Sequence, residues 1–396
     1  MRILMINSVC GIKSTGRICT DLATALEKQG HEVKIAYGRE NVPEQFQKYA
    51  VRIGNDLDVK LHGLRARLLD GASFGSKRAT EKFIEWVKEY DPDIIHLHNI
   101  HGYYVNIELL FDYIKKEKKP VVWTLHDCWP FTGHCAHFDL EKCCKWQTKC
   151  CNCPLTKEYP KSFFDFCSRN FEKKKKSFLG VENMTIVTPS RWLADLVKKS
   201  YLKDYSIKVI PNGIDLSVFK PTDGDFRQKY NLEYKKIVLG IASAWGVKKG
   251  FDDFVKMSEM LDDNYKIVLV GLTEKQKKTL PDKIIGITRT NDTSELAHLY
   301  TTADVFANPT YEDTYPTVNL EAVSCGTPVV TYNTGGSPEA VHGKGVVVPQ
   351  GNLEEIVSEI SKICSNKKSF DFCNGALYCN RDACYSEYLN LYDSML

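Results

Sequence analysis

Short apolar runs alternate along this chain with stretches in which apolar residues recur at helical spacing. The runs RILMINSV and EVKIAYG have the character of strands, and the segment between them, 17–29, places Ile18, Leu22 and Leu26 on one helical face. Further strands are predicted at DIIHLHN, VVWTLHD and TIVTPS, with helices over 77–90 and 106–116. Such alternation is typical of a parallel sheet that is covered by helices on both faces.

The same pattern restarts in the second half of the chain. KIVLGIAS, YKIVLVG, DVFANPT and TPVVTYN are predicted strands, separated by helical stretches near 252–261, 295–302 and 317–324. The intervening segment IPNGIDLSVFKPT is rich in Pro, Gly and Asn, as linkers often are. We therefore predict an α/β protein with two Rossmann-like, doubly wound domains that face each other across a cleft.

The predicted boundaries follow from these patterns. The first domain covers 1–205, the linker 206–222 and the second domain 223–379. A final stretch, 380–396, carries aromatic and apolar residues at helical spacing. We expect it to form a helix that packs back on the first domain.

Composition limits the class of protein. Of 396 residues 43% are hydrophobic and 26% charged, and no apolar run reaches the ~18 residues that a membrane span needs. The first residues, MRILMINSV, resemble a strand and not a signal peptide, so the 15 cysteines are expected as thiols in a reducing cytoplasm. Residues 1–205 carry a net charge of +8 and the remainder −5, which favours an anionic partner such as a lipid-linked phosphate; we expect no nucleic-acid partner.

The segment EDTYPTVNLEAVSCGTPVV combines two carboxylates with the start of a short helix. Asp313 and Glu321 lie eight positions apart, and Pro316 suits a first helical position because its fixed φ fits there. The amides of Thr317 and Val318 would then lie at the positive end of the helix, where a phosphate binds well. This arrangement could hold the sugar and the ribose of a nucleotide-sugar on either side of its diphosphate.

Several motifs occur in an order that resembles glycosyltransferase family 4, of the GT-B fold. They are GIKSTGR, TLHDCWPFTGHC, PSRWLAD, IPNGID, KKGFDDF and the carboxylate segment. The resemblance, strongest to enzymes of bacterial surface-polysaccharide assembly, implies metal-independent, retaining transfer from a UDP- or GDP-linked sugar. The implied acceptor is a glycan or an undecaprenyl-diphosphate-linked molecule. The alternatives are a non-catalytic nucleotide-sugar-binding protein and a GT-B enzyme of another reaction, such as an epimerase.

The resemblance assigns roles to four residues. Lys249 matches the lysine that binds the donor diphosphate, and Glu321 the glutamate that accepts hydrogen bonds from the donor ribose. Asp313 occupies the place of the first family carboxylate, one methylene shorter than the usual glutamate. His126, after a predicted strand, matches a histidine that contacts the transferred sugar, and its neighbour Asp127 could orient its ring.

Other residues of the implied site match the family pattern less closely. Many relatives carry an arginine five positions before the lysine, but this chain has Ala244, so we expect Lys248 or Arg289 to supply the missing charge. Gly16 is expected in the first strand–helix loop, and Arg17 at the start of the helix, near a ligand phosphate.

Histidine and cysteine clusters raise the question of a metal. His96, His98 and His101 have alternating spacing that we interpret as substrate-cleft or packing positions. Seven cysteines fall between 128 and 153. Four of them could hold a structural zinc, and unliganded thiols are the alternative; the four are Cys135, Cys143, Cys150 and Cys153.

A basic stretch, FEKKKKSF, joins four lysines to flanking Phe171 and Phe178. It could be a peripheral contact with the inner face of the cytoplasmic membrane, near a lipid-linked acceptor. The alternative is a solvated helix face.

Overall fold

The computed structural model describes residues 1–341, 343–366 and 380–396. The chain divides into two compact units. The first comprises Met1–Ile210 together with Tyr385–Leu396, and the second comprises Pro211–Cys384. The end of the predicted second domain, 367–379, lies outside the described residues.

The first unit is built on a seven-stranded sheet in which every described strand pair is parallel. Its strand order, β3-β2-β1-β4-β5-β6-β7, is the doubly wound order that the alternation predicts. The strands are β1 (Arg2–Ile6), β2 (Glu32–Tyr37), β3 (Ala50–Arg52), β4 (Ile94–Leu97), β5 (Val121–Thr124), β6 (Met184–Thr188) and β7 (Ser206–Val209).

Helices cover this sheet and supply its core. Trp123 of β5 packs edge-on against Phe178 at 4.8 Å between ring centroids, and all of its side chain is buried. The helices are α1 (Lys13–Lys28), α2 (Asp56–Leu69), α3 (Lys77–Tyr90), α4 (Ile107–Glu117), α5 (Cys167–Phe178) and α6 (Arg191–Val197).

Strand β7 corrects the start of the predicted linker. Residues 206–209 were expected in that linker, but they pair with β6 at the edge of the sheet. The strand has only four residues, none of them fully buried, so its hydrophobic signal is weak.

The second unit contains a six-stranded parallel sheet with the order β10-β9-β8-β11-β12-β13. The strands are β8 (Lys236–Ile241), β9 (Tyr265–Val270), β10 (Ile284–Ile287), β11 (Val305–Asn308), β12 (Val329–Tyr332) and β13 (Gly345–Val348). The helices are α7 (Phe226–Lys229), α8 (Phe251–Met260), α9 (Glu274–Lys277), α10 (Thr293–Thr302), α11 (Thr317–Ser324), α12 (Ser337–Ala340) and α13 (Leu353–Ser365).

The last helix, α14 (Arg381–Asp393), ends in the first unit. There the hydroxyl of Tyr392 lies 2.7 Å from Nδ1 of His96, and the hydroxyl of Tyr388 lies 3.0 Å from Oγ1 of Thr124. Both tyrosines are buried, so the helix closes over the ends of β4 and β5. Among the described helices, none is long and apolar enough to cross a bilayer.

Each sheet has one point at which the strand order reverses. In the first unit it lies between β1 and β4, and in the second between β8 and β11. Loops that leave the carboxyl ends of the two flanking strands diverge there and leave a crevice in which doubly wound sheets bind ligands.

Candidate active site

The crevice of the second unit brings together a lysine and a carboxylate from distant parts of the chain. Lys249 follows β8 and Asp313 follows β11, the two strands that flank the reversal. The Nζ atom of Lys249 lies 2.6 Å from Oδ2 of Asp313, with the lysine side chain 35% and the aspartate side chain 19% exposed. The pair is therefore formed and still reachable by a ligand.

The neighbouring lysine has a different partner. Nζ of Lys248 lies 2.6 Å from Oε2 of Glu312, whose side chain is buried. The carbonyl of Lys248 also accepts hydrogen bonds from the Tyr311 amide and the Thr310 hydroxyl, at 2.9 and 3.1 Å. Moving this lysine toward a ligand would leave a buried carboxylate without its cation, which is costly. These contacts favour a role for Lys248 in anchoring the loop over a role in binding the diphosphate.

Helix α11 begins beside this pair. It spans Thr317–Ser324, close to the predicted stretch, and Pro316 is its N-cap and not its first helical residue as expected. A proline has no side-chain acceptor, so the cap contributes no side-chain hydrogen bond to the first amides. Thr317 and Val318 are both half-buried in this first turn. A diphosphate is the kind of ligand that suits such a helix end.

The second carboxylate of the motif lies one turn further along the same helix. Oε2 of Glu321 accepts a hydrogen bond of 2.8 Å from the hydroxyl of Tyr300, which is fully buried. This bond fixes the rotamer of a half-buried glutamate. Tyr300, on α10, is a supporting residue that no sequence motif indicates.

A glycine turn after β12 holds the Asp313 loop from behind. Gly335 has φ +55°, and a Cβ atom there would lie 1.8 Å from the carbonyl oxygen of Asp313. The amide of Gly336 donates to the same carbonyl at 3.2 Å. Sequence reasoning missed this turn, although the Gly-Gly pair before Ser-Pro in NTGGSPE could have indicated it.

Arg289 and Ala244 lie at the same edge of this sheet. Arg289 is exposed and follows β10, which is two strands from β8, so the strand ends are roughly 10 Å apart. Ala244 is exposed in the loop after β8. Arg289 therefore stays a candidate for the second cation.

The crevice of the first unit contains a row of histidines at the ends of β4 and β5. Nδ1 of His98 lies 3.0 Å from Nε2 of His126, and the two rings stack at 5.3 Å. The His96 ring lies 4.0 Å from that of His98 and is hydrogen-bonded at both nitrogens, to Thr124 and to Tyr392. The row therefore runs from α14 to the predicted sugar-contacting residue.

Burial keeps these rings neutral. Desolvation lowers the pKa of His126 to about 4 and that of His96 to about 3. The pKa of His98 falls well below its ordinary value for the same reason, with His96 and His126 adding to the effect. At neutral pH each ring thus carries one N–H, and the row can orient His126 without charge.

Asp127 has a different partner from the one expected. Its Oδ2 atom lies 2.8 Å from Nε2 of His101, and its Oδ1 atom accepts the amide of Trp129 at 2.9 Å. The other nitrogen of His101 lies 3.0 Å from the hydroxyl of Tyr159. Asp127 therefore orients His101, while His98 is the hydrogen-bonded neighbour of His126.

The first strand–helix loop is shorter than predicted. Helix α1 starts at Lys13, so Gly16 lies within the helix and Arg17 is its fifth residue. A Cβ atom on Gly16 would lie 3.0 Å from the Val9 side chain. Gly16 therefore packs closely against the loop, while Arg17 is exposed.

The predicted zinc ligands gather around one cavity of about 20 Å³, which Cys167 also lines. The Cys153 sulfur is hydrogen-bonded to the thiols of Cys135 and Cys167, which holds its pKa below the ordinary value, and Cys150 accepts the Gly133 amide at 3.2 Å. Among the described residues, however, no group of three or more His, Cys, Asp or Glu side chains has an arrangement that could hold a metal ion. The four predicted sulfurs thus line one cavity, but the described residues show no formed metal site there.

The basic stretch corrects the predicted membrane contact. Phe171 and Phe178 are buried in the core of the first unit, and so is Lys174. The Lys174 ammonium donates to the carbonyls of Trp129 and Thr132, at 2.9 and 3.1 Å. The stretch forms helix α5 with one face inside, so its phenylalanines are not available to a bilayer.

Comparison with known proteins places this architecture among sugar-transferring enzymes. At 24% identity, 87% of this chain aligns with 86% of WcaC of Escherichia coli (strain K12), named as a colanic acid biosynthesis glycosyl transferase. At 27% identity, 56% of this chain aligns with 63% of the N,N'-diacetylbacillosaminyl-diphospho-undecaprenol alpha-1,3-N-acetylgalactosaminyltransferase of Campylobacter jejuni.

Solved structures share the fold. Sucrose-phosphate synthase from Thermosynechococcus elongatus is 18% identical with a TM-score of 0.72, over 100% of this chain and 98% of that one. Anabaena Alr3699/HepE, in complex with UDP, is 15% identical with a TM-score of 0.68, over 100% of both chains.

Two family models cover nearly the whole sequence. The model described as Glycosyl transferases group 1 matches residues 223–374, which contain the lysine, the carboxylates and helix α11. The model described as Glycosyltransferase Family 4 matches residues 15–218, which contain the histidine row. The chain therefore belongs to glycosyltransferase family 4, and it is a sugar-transferring enzyme of the GT-B fold.

Proposed function

We propose that this enzyme transfers a sugar, with retention of anomeric configuration, from a nucleoside-diphosphate sugar to a lipid-linked glycan acceptor. The observation that carries the proposal is the Lys249–Asp313 pair at the crevice of the second sheet, beside the first turn of α11. A cation and free helix amides suit a diphosphate, and a carboxylate suits sugar hydroxyls.

The departing diphosphate gains negative charge as the glycosidic bond breaks. Lys249 and the amides of Thr317 and Val318 would stabilise that charge in the transition state. The carboxylate of Glu321, held by Tyr300, would accept hydrogen bonds from the ribose. His126, neutral at pH 7, would contact the transferred sugar, and the leaving phosphate itself would take the acceptor proton.

The pairing of Lys249 with Asp313 has a consequence for donor binding. In the absence of donor, the lysine charge is balanced by the aspartate at 2.6 Å. A bound diphosphate would share the ammonium, which frees one carboxylate oxygen of Asp313 for a sugar hydroxyl. Donor binding and carboxylate placement would therefore occur in one step.

Relatives support the substrate class. The Campylobacter jejuni relative is named for a diphospho-undecaprenol acceptor, and a further Anabaena HepE structure is described as a complex with UDP-glucose. We infer a UDP- or GDP-linked donor, an undecaprenyl-diphosphate-linked acceptor in surface-polysaccharide assembly, and a cytoplasmic reaction.

Slow donor hydrolysis tests the proposal without knowledge of the acceptor. The purified protein is incubated with a panel of UDP- and GDP-sugars, and the released nucleoside diphosphate and the anomer of the free sugar are measured. We expect release from one donor class, loss of that release in Lys249→Ala, and retained configuration in the product. Binding of a nucleotide-sugar with no release, even with lipid-linked acceptors added, would favour a non-catalytic binding protein.

Enzymes of this family typically work without a metal, so we propose no metal in the transfer step. A structural zinc at the cysteine cavity is a separate proposal. Its support is that Cys135, Cys143, Cys150 and Cys153 line one small cavity next to the histidine-bearing loop. Elemental analysis of protein purified without chelators should give about one zinc per chain. Zinc near zero in wild type would reject the site, and Cys150→Ser should lower the zinc content.

A further inference from the structure

Helix α2 exposes more large apolar side chains than its neighbours do. Five leucines of its 14 residues are between 43% and 63% exposed: Leu57, Leu61, Leu64, Leu68 and Leu69. Single exposed leucines are ordinary on protein surfaces, but a contiguous group on one helix indicates an interaction site.

The spacing places four of these leucines in one line. Leu57, Leu61, Leu64 and Leu68 are separated by four, three and four positions, so they fall within an arc of about 60° on the helix. Three residues on the opposite side, Val59, His62 and Ala66, face the core of the first unit. The leucine stripe therefore points directly away from the protein.

A buried histidine fixes this orientation. Nδ1 of His62 lies 2.8 Å from the Ser76 hydroxyl, and Nε2 accepts the Gly75 amide at 3.1 Å. With both ring nitrogens bonded, the helix cannot rotate its leucines inward without breaking both of these hydrogen bonds. The fold therefore holds the leucine stripe at the surface.

A second segment extends the apolar surface at the end of α2. Phe163 and Phe164 are 75% and 56% exposed, among the most exposed aromatic side chains described. The Phe163 amide donates to the carbonyl of Arg67 at 2.8 Å, which ties this loop to the last turn of the helix. The leucine stripe and the two phenylalanines together form the α2 surface.

Basic residues flank the stripe. Lys60 and Arg67 lie on one side of it and Arg65 on the other, and all three are exposed. The two acidic residues of the helix are engaged locally. Asp56 pairs with Arg52, and Asp58 accepts the Asn55 amide at 3.0 Å in the capping box. The free charge beside the leucines is therefore positive.

We propose that the α2 surface docks on an anionic lipid bilayer. Leucine and phenylalanine side chains would enter the boundary between headgroups and acyl chains, while Lys60, Arg65 and Arg67 contact the headgroups. Pairing with a second copy is disfavoured because it would bring these three cations against the same three cations. Docking would bring the enzyme close to the proposed lipid-linked acceptor. The docking proposal itself does not depend on that acceptor.

Vesicle partitioning tests the surface in the absence of any sugar donor. Wild type is sedimented with vesicles of phosphatidylcholine containing ~25 mol% phosphatidylglycerol, at low and high salt. We expect binding that weakens with salt, and a partition coefficient lowered about tenfold or more in Leu61→Gln/Leu64→Gln. Charge replacement in Lys60→Gln/Arg65→Gln/Arg67→Gln should weaken binding and remove most of its salt dependence.

The matched control replaces exposed lysines elsewhere. Lys175→Gln/Lys176→Gln alters the exposed part of α5 and should bind vesicles as wild type does. Donor hydrolysis should be unchanged in the leucine variant, which shows that it folds and separates this test from that of the proposed function. Wild-type vesicle binding by the leucine variant would overturn the proposal. So would a wild-type dimer in sedimentation velocity that the leucine variant converts to monomer.

Discussion

The two crevices of this enzyme both hold polar groups at the ends of parallel strands, but these groups differ in charge and in exposure. In the second unit, Lys249 and Asp313 form a charged pair that is about one-third and one-fifth exposed. In the first unit, His96, His98 and His126 form a row of neutral rings, two of them buried and one half-buried. The second crevice retains a charged pair near solvent, whereas the histidine row of the first is neutral.

The difference follows from the environment of each group. A charged pair survives near solvent because water and the ligand can share the charge. A buried histidine gives up its proton instead, and its hydrogen bonds to neighbours fix the ring. The charged crevice is therefore suited to an anionic leaving group, and the neutral row to positioning of an uncharged sugar.

The largest effect should come from removal of the exposed cation. Lys249→Ala should lower turnover about 10³-fold, because the diphosphate loses its cation in the transition state. Lys248→Ala is the matched control, since its ammonium pairs with buried Glu312. That variant should lose stability while it retains most of its turnover per folded molecule. Equal losses of turnover in the two variants would remove the distinction between the lysines.

Gly335→Ala should disturb the charged crevice from behind. A methyl group at this position would lie 1.8 Å from the Asp313 carbonyl, in a backbone with φ +55°. We expect turnover to fall about 10²-fold as Asp313 shifts, since small displacements of catalytic groups are costly. Gly343→Ala, also at positive φ but with open space around the added carbon, is the control. Wild-type kinetics in Gly335→Ala would show that the turn does not position Asp313.

Acidification should destabilise the neutral row. The pKa values of His96 and His98 are lowered in the folded protein, so below pH 6.5 the unfolded state binds more protons. Their contribution is fully present above pH 6.5 and is lost as pH falls toward the folded values. Urea unfolding at pH 5.5 and pH 7 should differ by about 2 kcal/mol from these two rings. His98→Ala should remove about half of that difference, and an unchanged difference would contradict the assignment.

The smallest effect is expected from the residue that positions His126. His98→Ala should lower kcat about tenfold with little change in KM for the donor, because the ring of His126 loses its 3.0 Å partner. His98→Asn, whose amide can reach the place of Nδ1, should recover part of the loss. A change confined to KM would argue for a role in donor binding.

The sequence predicts the charged crevice far more completely than it predicts the neutral row. The helix at Thr317–Ser324 is predicted to within one residue at its start, and both sheets follow from the alternation of apolar runs. Lys249 and Asp313 follow strands that flank a reversal of strand order, so the fold class alone suggests that they meet. Their roles in binding remain predictions.

Other parts depend on contacts between residues that are distant along the chain. The pairing of Asp127 with His101, the burial of Lys174 under Trp129 and the short loop before α1 have no local signature. The leucines of α2 recur at the helical spacing that is typical of a buried helix face. Only the structure shows that this face is exposed. Tertiary packing therefore decided each of these features.

Nucleoside-diphosphate affinity tests the central claim most directly, since Lys249 is assigned to the diphosphate and Lys248 to the fold. Isothermal titration of the nucleoside diphosphate released in the donor panel would be performed on wild type, Lys249→Ala and Lys248→Ala. We predict about tenfold weaker binding or more in Lys249→Ala and less than about threefold in Lys248→Ala. Wild-type affinity in Lys249→Ala would contradict the assignment of this crevice to the donor.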